Sequence, residues 1–135
     1  MRKIVIASHH LFAYGLTETV KFLSGYENLY DLSAYVDSEV KIEEQIDSIM
    51  KKINVDDEVF IFTDMLGGSV TQKFYNYMNE KIHIICGMNL PLILTIALQG
   101  EEELSSEKIE GIIEESKQQI IYINNHEVET SDDDE

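Results

Sequence analysis

Ile4-Val5-Ile6-Ala7-Ser8-His9-His10 is the stretch from which the fold is read. Three β-branched apolar residues in a row describe a strand buried on both faces, the pattern of a parallel sheet. Small and polar residues break the run, and an apolar pattern at helical spacing follows from Phe12 to Leu23. A histidine is thereby delivered to the C-terminal end of a first strand, in a βα loop, where open α/β sheets place their ligands. A second buried run, Val59-Phe60-Ile61-Phe62-Thr63, ends in Asp64 and continues into Gly67-Gly68-Ser69. The two strand ends are expected to face each other, with the chemistry between them.

Outward from this pair, strands and helices alternate. That implies an α/β fold with a doubly wound, mostly parallel central sheet and helices on both faces. The pattern predicts strands over 3–8, 29–36, 58–63 and 81–86. Helix one is expected over 12–24, with Leu16, Val20 and Leu23 on one face and Gly25 beyond its end. Asp37 or Ser38 is expected to cap a second helix carrying Ile42, Ile46, Ile49 and Ile53. Helix three starts near Ser69, with Val70, Phe74, Tyr77 and Met78 on one stripe. Asn89 caps helix four, with Pro91 in its first turn, and that helix is apolar nearly all round, hence buried. Ser105 or Ser106 caps a fifth helix with Ile109, Ile112 and Ile113 inward. A short strand over 120–123 follows. The domain is expected to span 1–124, and 125–135 to be an acidic, disordered tail.

The chain of 135 residues suits one domain, and no apolar run approaches a membrane span. The basic start Met1-Arg2-Lys3 precedes an apolar run too short for a signal peptide. A single cysteine, Cys86, excludes an internal disulfide framework and suits a reducing, cytoplasmic setting. The formal charge is −16; removing the six acids of the last ten residues from the 26 leaves 20 against 10 Lys and Arg. A surface of that sign repels nucleic acid and anionic membrane, and favours a basic protein partner.

Two clusters can carry chemistry. The glycines of Asp64-Met65-Leu66-Gly67-Gly68-Ser69 let backbone N–H groups approach a ligand, and a helix start attracts anions. The same loop also reads as an ordinary strand-to-helix turn with a capping serine. His9 can act as a nucleophile in its neutral form if one ring nitrogen is open and the other is held by an acceptor. A lone loop histidine often only closes a turn; one at the switch point opposite Asp64 has its acceptor. No dinucleotide or P-loop motif occurs, no histidine and cysteine spacing suits a metal, and no cofactor is expected. His83 and His126 read as structural, Cys86 as a core residue, and Tyr26, Tyr30 and Tyr35 as strand packing.

At these residues the chain resembles a known family. Ile4 to His9 with Phe12-Ala13 and Gly15-Leu16, then Phe62 to Ser69, then Gly87-Met88-Asn89-Leu90-Pro91, are similar to the mannose-family IIA domain of the bacterial sugar phosphotransferase system (PTS). The resemblance covers about residues 1–100, with three motifs in the family's order and spacing. It implies a phosphocarrier that accepts phosphate from HPr and passes it to a IIB protein, which phosphorylates sugar entering through IIC/IID permease subunits. The acceptor histidine falls on His9, the family's aspartate on Asp64, and its serine after the glycine pair on Ser69; Gly67 and Gly68 would help to receive phosphate. It also implies a homodimer that exchanges its last strand. The chain departs from the pattern at His10, where many members have glycine, and at Val70, where many have proline. Gly67 to Val70 followed by Gln72 is similar to the amino-sugar and glycosaminoglycan branch.

Three other readings compete. A receiver module phosphorylated on Asp64 would need carboxylates for Mg²⁺ at the end of strand one, and Ser8-His9-His10 supplies none. A related phosphocarrier domain serves dihydroxyacetone phosphorylation with the same fold and histidine. A regulatory binding domain without activity would share the fold as well.

Overall fold

The computed structural model describes residues 1–126. Along the chain run β1 (Arg2–His9), α1 (Phe12–Ser24), β2 (Leu29–Ala34), α2 (Ile42–Met50), β3 (Glu58–Thr63) and α3 (Ser69–Phe74). A 3₁₀ turn (Tyr75–Tyr77), β4 (Ile82–Cys86), α4 (Leu90–Ala97), α5 (Ser106–Lys117) and a second 3₁₀ turn (Ile123–Asn125) complete it. The sheet order is β2-β1-β3-β4 and every neighbouring pair is parallel.

Alternation along β1 and β3 splits the core between the two faces of the sheet. Ile4, Ile6, Phe60 and Phe62 pack with Leu16, Val20, Leu92, Ile93, Ile96, Ile109 and Ile112, which places α1, α4 and α5 on one face. Val5, Ala7, Val59 and Ile61 pack with Leu32, Ile42, Ile46, Val70 and Phe74, which places α2 and α3 on the other. Each fully buried side chain of this size contributes about 1.5–3 kcal/mol, so β1 and β3 anchor both halves of the core. The chain leaves β1 and β3 toward opposite faces, and their C-terminal ends frame the switch-point crevice.

The opposite end of the sheet is fastened by charge. The Arg2 guanidinium pairs with Glu58 at 2.9 Å and donates to the carbonyls of Gln99, Gly100 and Glu102. Lys3 pairs with Asp57 at 2.7 Å and donates to the Lys52 carbonyl. Each buried cation thus adds carbonyl partners to its carboxylate, which offsets the cost of burying the charge.

Most elements lie where the sequence puts them, with Asn89, Ser105 and Gly25 as caps. Five expectations are corrected. Strand two stops at Ala34 rather than Val36, because Tyr35 turns the backbone to φ 67°. Asp37 and Ser38 do not cap α2, which begins at Ile42 after Lys41; the Asp37 carboxylate instead accepts from the Glu39 amide and closes a turn. The α-helical part of helix three ends at Phe74, and Tyr75–Tyr77 continues as 3₁₀. The strand expected over 120–123 does not form: among the described residues no neighbour offers it a ladder, and Ile120, Tyr122 and Ile123 are exposed. Of the acidic tail expected to be disordered over 125–135, Asn125 instead ends the second 3₁₀ turn and His126 follows it; 127–135 lie outside the described residues.

Candidate functional site

Ser8, the last fully buried residue of β1, shapes the loop that carries the histidine. Its hydroxyl donates to the His10 carbonyl and accepts from the Ala13 amide, at 3.0 and 2.7 Å. The turn is tight enough to put His10 at φ 56°, a left-handed conformation in which glycine costs least. The His10 side chain is exposed, whereas His9 is half-buried and directed at the end of β3.

There Asp64 meets it. Asp64 Oδ2 accepts from the His9 backbone N–H and lies 2.8 Å from His9 Nδ1; Oδ1 accepts from the Met65 amide at 3.1 Å. A carboxylate only accepts, so Nδ1 carries the ring proton and Nε2 presents its lone pair. Burial works against the Asp64 charge, but the hydrogen bonds from His9 outweigh it and hold the carboxyl below its usual range. Asp64 is therefore ionised at neutral pH, with His9 as its partner.

The β3–α3 loop closes over the imidazole. Gly68 approaches so near that a Cβ there would stand 3.2 Å from His9 Cε1 and 2.9 Å from Met65 Cγ. Thr71 Oγ1 lies 2.8 Å from both Thr63 Oγ1 and the Met65 carbonyl oxygen, which pins the loop to the end of β3. Ser69 does not cap the helix, whose cap position is Gly68. Its hydroxyl points into the crevice, 3.5 Å from His9 Nε2 and 2.7 Å from Tyr35 Oη.

The five residues expected from the sequence, His9, Asp64, Gly67, Gly68 and Ser69, thus follow the ends of adjacent strands. His9, Asp64, Gly68 and Ser69 converge on one imidazole; Gly67 shapes the turn at φ 76°. Two further residues were not expected. Ser8 sets the loop, and Tyr35 flanks the site with its ring centroid 5.6 Å from that of His9. The signal for Tyr35 is its place just after a strand that pairs with β1, a position that strand composition through Val36 conceals. His83 packs against Phe60 in the sheet, away from the crevice. Among the described residues no group of three or more His, Cys, Asp or Glu could hold a metal ion.

A doubly wound parallel domain with a carboxylate-oriented imidazole at its switch point is the class that fold and site define. The family described as EIIA-man, PTS system fructose IIA component, matches residues 3–113, and the chain belongs to it. A solved structure described as a phosphoenolpyruvate-dependent sugar phosphotransferase system permease from Klebsiella pneumoniae subsp. pneumoniae is similar at 30% identity. It superposes with a TM-score of 0.84, covering 92% of each chain. The PTS IIA protein associated with the fucose utilization operon of Streptococcus pneumoniae is 21% identical with a TM-score of 0.78, over 91% of this chain and 93% of that one. The mannose/sorbose specific IIA subunit from Enterococcus faecalis is 15% identical with a TM-score of 0.74, over 95% and 98%. These last two speak for the fold alone. No curated protein sequence matches the chain.

Proposed function

We propose that this IIA domain is a cytoplasmic phosphocarrier in which His9 accepts a phosphoryl group from phospho-HPr and passes it to a IIB component for sugar uptake through IIC/IID. Family membership supports the role in a sugar phosphotransferase system. The observation that carries the assignment of the acceptor is the 2.8 Å contact between His9 Nδ1 and Asp64 Oδ2, which leaves Nε2 open.

The Nε2 lone pair attacks phosphorus and forms an N–P bond while the donor's N–P bond breaks and its electron pair returns to the donor imidazole. The Nδ1 proton stays in place, so the His9 ring gains positive charge, and the Asp64 carboxylate stabilises it. Phosphoryl transfer asks for this kind of positioning and charge stabilisation rather than further covalent chemistry. Gly67, Gly68 and Ser69 receive the phosphoryl oxygens through loop amides and the serine hydroxyl. The step back to IIB is the same reaction reversed on a new acceptor.

Three further features support the wider reading. Leu11, Phe12, Val36, Met65 and Leu66 follow the strand ends around His9 and are exposed, an apolar rim suited to docking a protein that must bring its own histidine into contact. Ile120 to Ile123 is apolar, lies outside its own sheet, and would supply the exchanged strand of a homodimer. The β4 edge offers a groove of about 320 Å³ lined by Ile82, Ile84, Ile109 and Ile113 to receive it. Among the described residues no helix is long and apolar enough to cross a membrane. Gly67 to Val70 with Gln72 resembles the amino-sugar and glycosaminoglycan branch, and by that resemblance the final acceptor is an amino sugar or a glycosaminoglycan-derived sugar.

A relay assay tests the reading. Labelled phospho-HPr, the protein and its IIB are mixed in sequence. Label is expected to pass from HPr to the protein and then to IIB; label that stays on HPr contradicts the proposal.

A further inference from the structure

Tyr35 is held in a conformation that a bulky residue rarely adopts. Its φ is 67°, in the left-handed region where a side chain crowds the backbone. Left-handed backbone at a large residue persists only where its surroundings over-determine it, and such residues gather at functional sites. What holds Tyr35 here is the site. Its phenol lies 2.7 Å from Ser69 Oγ, and its ring stands beside the His9 imidazole at 38°.

The proton count of this small chain matters. Ser69 has one hydroxyl proton and two possible uses for it, on Tyr35 or toward the His9 side. A proton given to Nε2 would occupy the lone pair that must attack. A proton given to Tyr35 would leave only serine lone pairs facing the incoming phosphoryl oxygens, which repel them. A phenol is the better donor of the two hydroxyls, so the favoured arrangement has Tyr35 donating to Ser69. That fixes the serine rotor and leaves its proton free for a phosphoryl oxygen on Nε2. At 3.5 Å, Ser69 Oγ is at the limit of a hydrogen bond to bare Nε2, and an added phosphoryl group would bring acceptor oxygens out toward it.

Resting on the phosphocarrier reading, we propose that Tyr35 is a positioning residue that acts through Ser69: it orients the serine hydroxyl to stabilise the phosphoryl group in transfer to and from His9. The function lies in the phenol oxygen. The ring walls one side of the imidazole, and phenylalanine would keep that wall.

The test is single-turnover transfer from labelled phospho-HPr to wild type, Tyr35→Phe, Ser69→Ala and the double variant. Tyr35→Phe is expected to lower the maximal rate about three- to tenfold, the range for one hydrogen bond, with the HPr concentration at half-maximal rate unchanged. In the Ser69→Ala background Tyr35→Phe should have no further effect, because its only route of action is gone. Tyr35→Asn, which tolerates the left-handed backbone but removes the ring as well as the phenol oxygen, should lose at least as much rate with no fall in melting temperature. A Tyr35→Phe rate equal to wild type overturns the proposal, as does a loss that adds fully to that of Ser69→Ala. Wild-type protein that takes no label would overturn the phosphocarrier reading itself, and the role of Tyr35 in phosphoryl transfer with it.

Discussion

Asp64→Asn separates charge from shape at the site. The amide is isosteric with the carboxylate, but all three groups around it are donors: the His9 amide and Nδ1 face Oδ2, and the Met65 amide faces Oδ1. An asparagine must point its NH₂ at one of these sides. If the NH₂ faces Met65, Nδ1 keeps its proton but loses a charged acceptor. If it faces His9, the ring takes the other tautomer, with its proton on Nε2, and the nucleophile is blocked. The first arrangement loses a charge-assisted hydrogen bond, about 1.5–3 kcal/mol. His9 is 38% exposed, so water screens part of that, and the lower half of the range applies. At about 1.4 kcal/mol per tenfold, transfer should slow by at least about tenfold, with His9 still the residue labelled. Rapid-quench transfer from phospho-HPr measures this. The same substitution has a signature in acid. Asp64 has a depressed folded pKa, so its contribution is present above the unfolded carboxylate value, about 3.9, and lost as pH falls through the lower folded one. The wild-type minus variant difference in stability should therefore shrink below about pH 4. A variant that transfers within twofold of wild type would refute the role given to the carboxylate.

His9→Ala should abolish labelling, whereas His10→Gly, which installs the residue its φ favours, should keep most of it; peptide mapping after transfer checks both. Phe60→Ala removes a fully buried ring and should cost about 3–5 kcal/mol, read in thermal denaturation as a drop of roughly 10 °C or more. Removing residues 120–135 should give a monomer by light scattering at micromolar concentration, while removing 124–135 should leave the dimer and its labelling intact; a monomer in the intact protein contradicts the exchange.

The strands and the main site were legible because both rest on short-range chemistry. A run such as Val59 to Thr63 can only be buried on both faces, and adjacency of β1 and β3 follows from right-handed crossovers. That adjacency alone brings His9 to Asp64. What escaped the sequence depends on backbone geometry set by tertiary contacts. Nothing in Ala34-Tyr35-Val36 announces φ 67°, so the residue pattern carries the strand two residues too far and puts Tyr35 in its packing. Ser69 reads from sequence as a cap or as the family's serine after the glycine pair, and only the structure shows its hydroxyl turned toward Tyr35 and His9 rather than back on its own helix. The segment from Ile120 to Ile123 has strand composition, but a strand is a property of a pair, and the described residues of its own chain supply no partner.

The central claim is that the phosphoryl group rides on His9. Incubation with phospho-HPr, followed by intact mass and mapping of the modified residue, tests it most directly. The account predicts one added phosphoryl group on His9, bound as a phosphoramidate that is lost in acid and stable in alkali. A phosphate mapped to Asp64 or His10, or one that survives acid, would contradict it.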